Sequence, residues 1–151
     1  MKKNIIAMWS GPRNLSTAMM RSFENRQDVI KVIDEPFDGA YLKKFNKNHP
    51  LKQDVINSME TNYKEVEKFC KKESVEGYIY QKHMSQHIYD FDSLEWTFNS
   101  INCFLIRDPD LVTASFLNKW NDANPMDLGY KQQLKIFNLI SNLNGICPVI
   151  D

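Results

Sequence analysis

A short loop between an apolar run and a helical segment constrains this chain most. The continuous apolar residues 5–9 predict a strand buried on both faces. Residues 16–26 carry apolar side chains at helical spacing, and residues 10–15 connect the two segments. A strand, a tight loop and a helix in this order direct backbone N–H groups and a helix N-terminus at an anion. The sequence therefore predicts a phosphate-binding loop that ends near Thr17.

The loop departs from the motif by which nucleoside triphosphatases bind magnesium. That motif reads G-x-x-x-x-G-K-[ST], and its last hydroxyl is a magnesium ligand. Counted from Gly11, this chain has Ser16 at the second glycine, Thr17 at the lysine and Ala18 at the hydroxyl. The loop can thus hold a phosphate without a magnesium ligand, which indicates a group transfer that needs no metal.

Length and charge narrow the class of protein. The 151 residues favour a single domain. Basic and acidic residues balance at 19 each, which argues against a general nucleic-acid binder. Both a monomer and a homo-oligomer stay open.

The cysteines and the apolar segments bear on the compartment. Cys70, Cys103 and Cys147 are far apart in sequence and form no CxxC pair, as expected of reduced thiols in a cytoplasmic protein. No stretch approaches the roughly 20 apolar residues that span a bilayer. The N-terminal apolar run is also too short for a signal peptide. We therefore expect a cytoplasmic protein without a membrane span.

Strand and helix patterns alternate along the chain. Strands are predicted at 5–9, 29–33, 78–80 and 103–106, and a fifth begins at 148–150. Helices are predicted at 16–26, at 51–72, after Asp108-Pro109 and from Tyr130 to a stop at Gly145. This alternation predicts a three-layer α/β/α fold with a mostly parallel sheet. We expect one domain over residues 1–151 that lacks its C-terminal part, since the fifth strand begins where the sequence ends.

Polar side chains follow the predicted strands. Arg13 follows the first strand, Glu35 the second, Lys82 and His83 the third, and Arg107 the fourth. Ligands of open parallel sheets bind at the carboxyl ends of the strands. These side chains are therefore expected at one edge of the sheet.

A second motif begins at the end of the fourth predicted strand. Arg107 precedes Asp108-Pro109, and Ser115 stands eight residues after Arg107, about two turns into the next helix. A guanidinium group binds a phosphate with two charge-assisted hydrogen bonds, and a hydroxyl adds one more donor. The pair suits a phosphate monoester.

Together the two motifs resemble the sulfotransferase family that uses 3′-phosphoadenosine-5′-phosphosulfate as donor. Residues 10–17 are similar to its 5′-phosphosulfate loop, although Asn14-Leu15 stands where well-studied members have Ser-Gly and Arg13 where many have Lys. Arg107 and Ser115 are similar to its 3′-phosphate element. Segments 9–19 and 34–37 resemble a bacterial subgroup sometimes named by association with branched-chain aminotransferases.

The resemblance implies a fold like that of the P-loop nucleoside triphosphate hydrolases, of sulfotransferase type, and a set of roles. The donor would contact Gly11, Pro12, Arg13, Asn14, Leu15, Ser16, Thr17, Arg107 and Ser115. Arg13 would stabilise the leaving oxygen, and His83 or His87 would take the proton of an acceptor hydroxyl or amine. His83 is preferred because Lys82-His83 matches the family better. The donor would be a co-substrate, and no metal is expected.

Two other functions stay open. A P-loop kinase or nucleotide hydrolase would need magnesium, and Asp34 could be its acidic residue. A non-catalytic nucleotide-binding fragment would keep the fold without turnover. The two histidines could also be purely structural. A zinc-protease reading fails because Met84 stands where the H-E-x-x-H motif requires Glu.

Overall fold

The sheet has five strands, and all of its strand pairs are parallel. The computed structural model describes residues 3–47, 49–74, 76–119, 124–145 and 147–151, with the side chains of 92, 93 and 144 excepted. The strands lie in the order β2-β3-β1-β4-β5. Their bounds are β1 Ile5–Ser10, β2 Val29–Asp34, β3 Tyr78–Met84, β4 Ser100–Leu105 and β5 Val149–Ile150. The predicted parallel sheet is confirmed.

Helices connect the strands and cover the sheet. They are α1 Ser16–Glu24, α2 Asp38–Phe45, α3 Lys52–Ser58, α4 Tyr63–Cys70, α5 Pro109–Leu117 and α6 Tyr130–Asn144. Short 3-10 helices run over Ser85–His87, Phe91–Thr97 and Pro125–Leu128. Among the described helices, none is long and apolar enough to cross a membrane.

Alternation along β1 builds two apolar clusters, one on each face of the sheet. Ala7 and Trp9 pack in a cluster that reaches Ile136 and Ile140 of α6. Met8, the residue between them, packs in a second cluster that includes residues of α1. Successive strand residues point to opposite faces, so one apolar run fills both cores. The three-layer α/β/α prediction is confirmed.

Strand β3 is longer than the sequence predicted. It extends to Met84 and pairs with β1 throughout, so that Lys82 lies opposite Met8 and His83 opposite Trp9. Lys82 and His83 therefore lie within the strand, and the prediction that they follow it is wrong. Gln81 and Lys82 are buried with hydrogen-bond partners elsewhere in the fold, which the local pattern does not reveal.

The single helix predicted over residues 51–72 is also wrong. Met59 is extended, with φ −115° and ψ 157°, and ends α3. Asn62 then begins α4 by accepting hydrogen bonds from the N–H groups of Lys64 and Glu65. Asparagine is a strong N-cap, so this break has a local cause that the apolar spacing concealed.

Helix α5 begins, and helix α6 ends, where the sequence predicted, whereas α1 ends at Glu24, two residues before its predicted end. The Asp108 side chain accepts from the N–H groups of Asp110 and Leu111, and Pro109 occupies the first turn of α5. Gly145 ends α6 with φ 79°. The Asp108 cap fixes where α5 begins, at Pro109, two residues after Arg107.

Candidate functional site

The loop between β1 and α1 leaves the start of α1 open to an anion. Leu15 occupies the N-cap position, its side chain makes no capping hydrogen bond, and the first turn holds no acidic residue. The first N–H groups of a helix lack intrahelical acceptors, and the helix dipole adds positive potential there. Helix α1 therefore lacks the serine N-cap that an ordinary strand-to-helix turn would have.

Two loop residues hold left-handed backbone conformations without being glycine. Arg13 has φ 64° and Leu15 has φ 60°. Such conformations are rare and costly for residues with a side chain, and they cluster at functional sites. Leu15 is 67% exposed, so burial of its side chain does not explain the conformation.

Contacts with β4 and α6 hold the loop in this shape. Buried Asn14 donates from Nδ2 to the carbonyl of Leu105 at 3.4 Å. Gln133 of α6 donates from Nε2 to the same carbonyl at 3.0 Å and to the carbonyl of Trp9, near the end of β1, at 3.4 Å. A Cβ at Gly11 would lie 2.6 Å from the Leu128 carbonyl oxygen, so only glycine fits there. The sequence analysis missed Gln133, and a lone glutamine on a helix offers no local signal of this role.

The second motif meets the loop at Arg13. Arg107 donates from Nη1 to the Arg13 carbonyl oxygen at 3.0 Å. Arg13 in turn donates from Nε to the Ser115 hydroxyl at 2.9 Å. The structure thus brings together three side chains that the sequence analysis assigned to one ligand.

A cavity of about 580 Å³ extends from the loop toward the ends of β2 and β3. Pro12, Arg13, Ser16 and Thr17 line it on the loop side. Glu35, Asp38, Lys82 and His87 line it on the strand side. Among the described lining residues, His83, Arg107 and Ser115 are absent, so these three lie outside this cavity.

Lys82 anchors the strand side of the cavity. Its Nζ lies 2.8 Å from Asp34 Oδ1 and 2.6 Å from Glu35 Oε1, and the residue is only 3% exposed. Burial acts to lower the pKa of Lys82, but the carboxylates of Glu35 and Asp34 outweigh it, and the net shift is upward. Glu35 itself has φ 44°, which turns the chain sharply after β2.

His83 lies in the interior. Its ring stacks on Trp9 with centroids 4.6 Å apart, and its Nε2 lies 3.0 Å from Gln81 Oε1. The residue is 1% exposed. Burial, and then the neighbouring His87, lower the pKa of His83 to about 3, so the ring is neutral at physiological pH.

His87 lies at the cavity instead. It ends the 3-10 turn Ser85–His87, and its Nε2 lies 3.6 Å from Asp38 Oδ1. Burial, and then the charge of Lys82, lower the pKa of His87 to about 3, which leaves a neutral ring at physiological pH.

Asp38 is a site residue that the sequence analysis missed. It begins α2 and lines the cavity beside Glu35. Burial, and then the charge of Glu35, raise the pKa of Asp38 to about 6. Its position three residues after Glu35, just beyond a strand end, was the available signal.

One group of residues in the described part of the chain has the donor atoms of a metal site. The ligand atoms of Glu35, Asp38 and His87 lie within 4.8 Å of one another. The Lys82 ammonium, 2.6 Å from Glu35, already neutralises one of these carboxylates, so Asp38 alone would have to balance the double charge of a divalent ion. The cluster is thus poorly suited to a divalent ion.

Known proteins similar to this chain match it over nearly its whole length. Two similar proteins are the branched-chain-amino-acid aminotransferase-like proteins 1 and 2 of Arabidopsis thaliana, at 32% and 31% identity over 149 residues. The match covers 97% of this chain but 26% of each relative, so the chain spans about a quarter of their length. No solved structure shows a significant match.

A family model places the chain among known domains. The model described as a sulfotransferase domain matches residues 3–147, and the match includes both the loop at the start of α1 and the Arg107–Ser115 element. Nearly the whole length is covered, in agreement with the parallel sheet and the converging motifs. The chain belongs to the sulfotransferase domain family.

Proposed function

We propose that this chain transfers a sulfuryl group from 3′-phosphoadenosine-5′-phosphosulfate to a hydroxyl or amine of a small-molecule acceptor. The observation that carries the proposal is the meeting of Arg107 and Ser115 at Arg13, beside the uncapped N-terminus of α1. Two anion-binding elements separated by almost a hundred residues suit a donor that carries phosphate at both ends.

Each of the two elements would bind one end of the donor. The 5′-phosphosulfate would lie at the N-terminus of α1, where Arg13, Ser16 and Thr17 line the cavity. Gly11, Pro12, Asn14 and Leu15 would shape the loop around it. The 3′-phosphate would accept hydrogen bonds from Arg107 and Ser115. In the structure both of these residues are hydrogen-bonded to Arg13.

The transfer itself is a displacement at sulfur. The bond from sulfur to the bridging oxygen of the donor breaks while a bond to the acceptor oxygen or nitrogen forms. Negative charge collects on the leaving phosphate, where Arg13 and the α1 N–H groups stabilise it, each such donor being worth a few kcal/mol. The acceptor proton passes to a base. Ala18 at the usual magnesium-ligand position agrees with transfer without metal.

We propose His87 as that base and revise the preference for His83. His87 lines the cavity, whereas His83 is enclosed between Trp9 and Gln81. A general base must come within hydrogen-bond reach of the proton that it takes. Asp38, 3.6 Å from His87 Nε2, would stabilise the imidazolium that forms.

Calorimetric titration with 3′,5′-adenosine bisphosphate tests the donor site. Wild-type protein should bind this product in the presence of a chelator, and ATP should bind more weakly with or without magnesium. Arg107→Ala should weaken bisphosphate binding about 10- to 100-fold, as expected for a charged hydrogen bond. Arg21→Ala, which removes an exposed arginine of α1, is the charge-matched control.

Two results would contradict the proposal. Magnesium-dependent ATP binding without preference for a 3′-phosphate would favour the kinase or hydrolase function. Absence of binding for both nucleotides would favour a fold retained without turnover.

The proposed compartment is the cytoplasm. Cys70, Cys103 and Cys147 are free and buried, which suits a protein kept in reducing conditions. Thiol titration of protein purified without reductant would test this by counting three free thiols.

A further inference from the structure

One carboxylate in the cavity, Asp38, has only histidine as a basic neighbour. Glu35 pairs with Lys82 at 2.6 Å, and Asp127 pairs with Lys47 at 2.9 Å. Within the described part of the chain, no lysine or arginine lies at ion-pair distance from Asp38. Glu35 and Asp34 make the electrostatic potential at Asp38 more negative, whereas His49 and Lys82 make it less negative.

The His87 ring beside Asp38 also lacks a hydrogen-bond partner. The residue is 6% exposed and lines the cavity, yet its Nδ1 bonds to nothing and its Nε2 stays 3.6 Å from Asp38 Oδ1. A buried polar group without a partner is costly unless a ligand satisfies it. A cationic donor group seated against Asp38 Oδ1 would pair with this carboxylate beside the His87 ring.

An aromatic ring borders the same place. Tyr41 lies one turn after Asp38 in α2, lines the cavity, and stacks on the His87 ring with centroids 4.8 Å apart. Leu42 and Met84 add apolar wall. A carboxylate beside an aromatic ring recognises an alkylammonium group, whereas a metal ion would prefer an all-polar shell.

We propose that the acceptor carries a protonated amine, which Asp38 holds against Tyr41 at the strand side of the cavity. This inference rests on the proposed function, since it assigns the loop side of the same cavity to the donor. The acceptor class is then a small amino compound, such as an amino alcohol that is sulfated on its hydroxyl.

Two probes that differ only in charge test the inference. 2-Phenylethylamine and 2-phenylethanol have the same carbon skeleton, and their binding to the full chain can be followed by NMR chemical-shift titration. The amine should bind at least about tenfold more tightly, the ratio expected of a charge-assisted hydrogen bond. Titrations with and without 3′,5′-adenosine bisphosphate separate this result from the donor site, because the amine site can be occupied even if the nucleotide does not bind.

Variants locate the preference. Asp38→Asn should bind both probes equally while showing the cooperative thermal unfolding of a folded protein. Asp127→Asn, which removes a paired carboxylate of the same cavity, should keep the preference for the amine. Equal binding of the two probes by wild type, or a preference that survives in Asp38→Asn, would overturn the inference. Manganese binding that disappears in Asp38→Asn, followed by water-proton relaxation, would make the cluster a metal site and overturn it as well.

Discussion

Arg13 donates a hydrogen bond from Nε to the hydroxyl of Ser115 at 2.9 Å, across 102 positions of sequence. Arg107 completes the connection by donating to the Arg13 carbonyl. The loop after β1 and the start of α5 therefore hold each other in place. An anion that takes over Ser115 and Arg107 would also change the contacts of Arg13.

Ser115→Ala should weaken binding of 3′,5′-adenosine bisphosphate about fivefold, the effect of one lost hydrogen bond. The free energy of unfolding should change by less than about 0.5 kcal/mol, because the Arg13–Ser115 bond is exposed. Calorimetry and urea unfolding measure the two effects. Ser58→Ala, a serine of α3 far from the loop in sequence, is the control. Loss of stability with unchanged affinity would make Ser115 a structural residue.

Asp38→Asn should stabilise the protein at neutral pH. Folding raises the pKa of Asp38 from 3.8 to about 6, so its contribution to stability is full below pH 3.8 and is lost as pH rises through 6. The variant should exceed wild type by about 1–3 kcal/mol at pH 7.5 and match it near pH 4. Urea unfolding at both pH values measures this.

The control for this prediction is Asp54→Asn, which changes an exposed carboxylate in the first turn of α3. Equal stability of Asp38→Asn and wild type at pH 7.5 would mean that Asp38 has an ion-pair partner in solution.

His83→Met should reduce the loss of folding stability that occurs as the pH falls below 6.5. Folding lowers the pKa of His83 from 6.5 to about 3, so stability is full above pH 6.5 and is lost as pH falls toward 3. Methionine does not titrate and fits the apolar surroundings of Trp9. Thermal unfolding between pH 7 and 4.5 measures the slope. A His83→Met variant as acid-sensitive as wild type would show that His83 is solvated.

Lys82→Met should destabilise the protein by about 1–3 kcal/mol. Methionine keeps most of the buried stem but leaves Asp34 and Glu35 without their shared cation. The estimate lies below the usual cost of a broken buried pair because these carboxylates are 52% and 31% exposed. Lys68→Met, which removes an exposed pair with Glu65, should cost under about 1 kcal/mol. Similar losses in the two variants would contradict the anchoring role of Lys82.

The fold could be predicted wherever local signals decided it. The apolar run of β1, the Asp108 cap and the glycine after α6 each act over a few residues, and each prediction was confirmed. The predicted end of β3 was wrong because buried Lys82 pairs with carboxylates almost fifty positions earlier in the sequence, and no local pattern contains that information. The prediction of one long helix over residues 51–72 was wrong because the apolar spacing continued across the Asn62 cap.

The candidate site was predictable in its parts more than in its arrangement. Arg13, Arg107 and Ser115 do come together, as their positions at the ends of strands and in the next helix indicated. Whether His83 or His87 faces the cavity depends on the parity of residues along β3 and on where that strand ends. Asp38 escaped notice because the left-handed turn at Glu35 directs it, and glutamate carries no sequence signal for that turn.

The left-handed conformations of Arg13 and Leu15 have a consequence for how quickly a ligand is captured. A glycine-rich loop samples many shapes and becomes ordered as the anion arrives. Here two residues with side chains hold an unusual backbone, Asn14 anchors the loop to β4, and Gln133 donates to the Trp9 carbonyl just before the loop. A loop whose backbone is already ordered loses little entropy on capture, so we expect rate differences between ligands to arise mainly in their release.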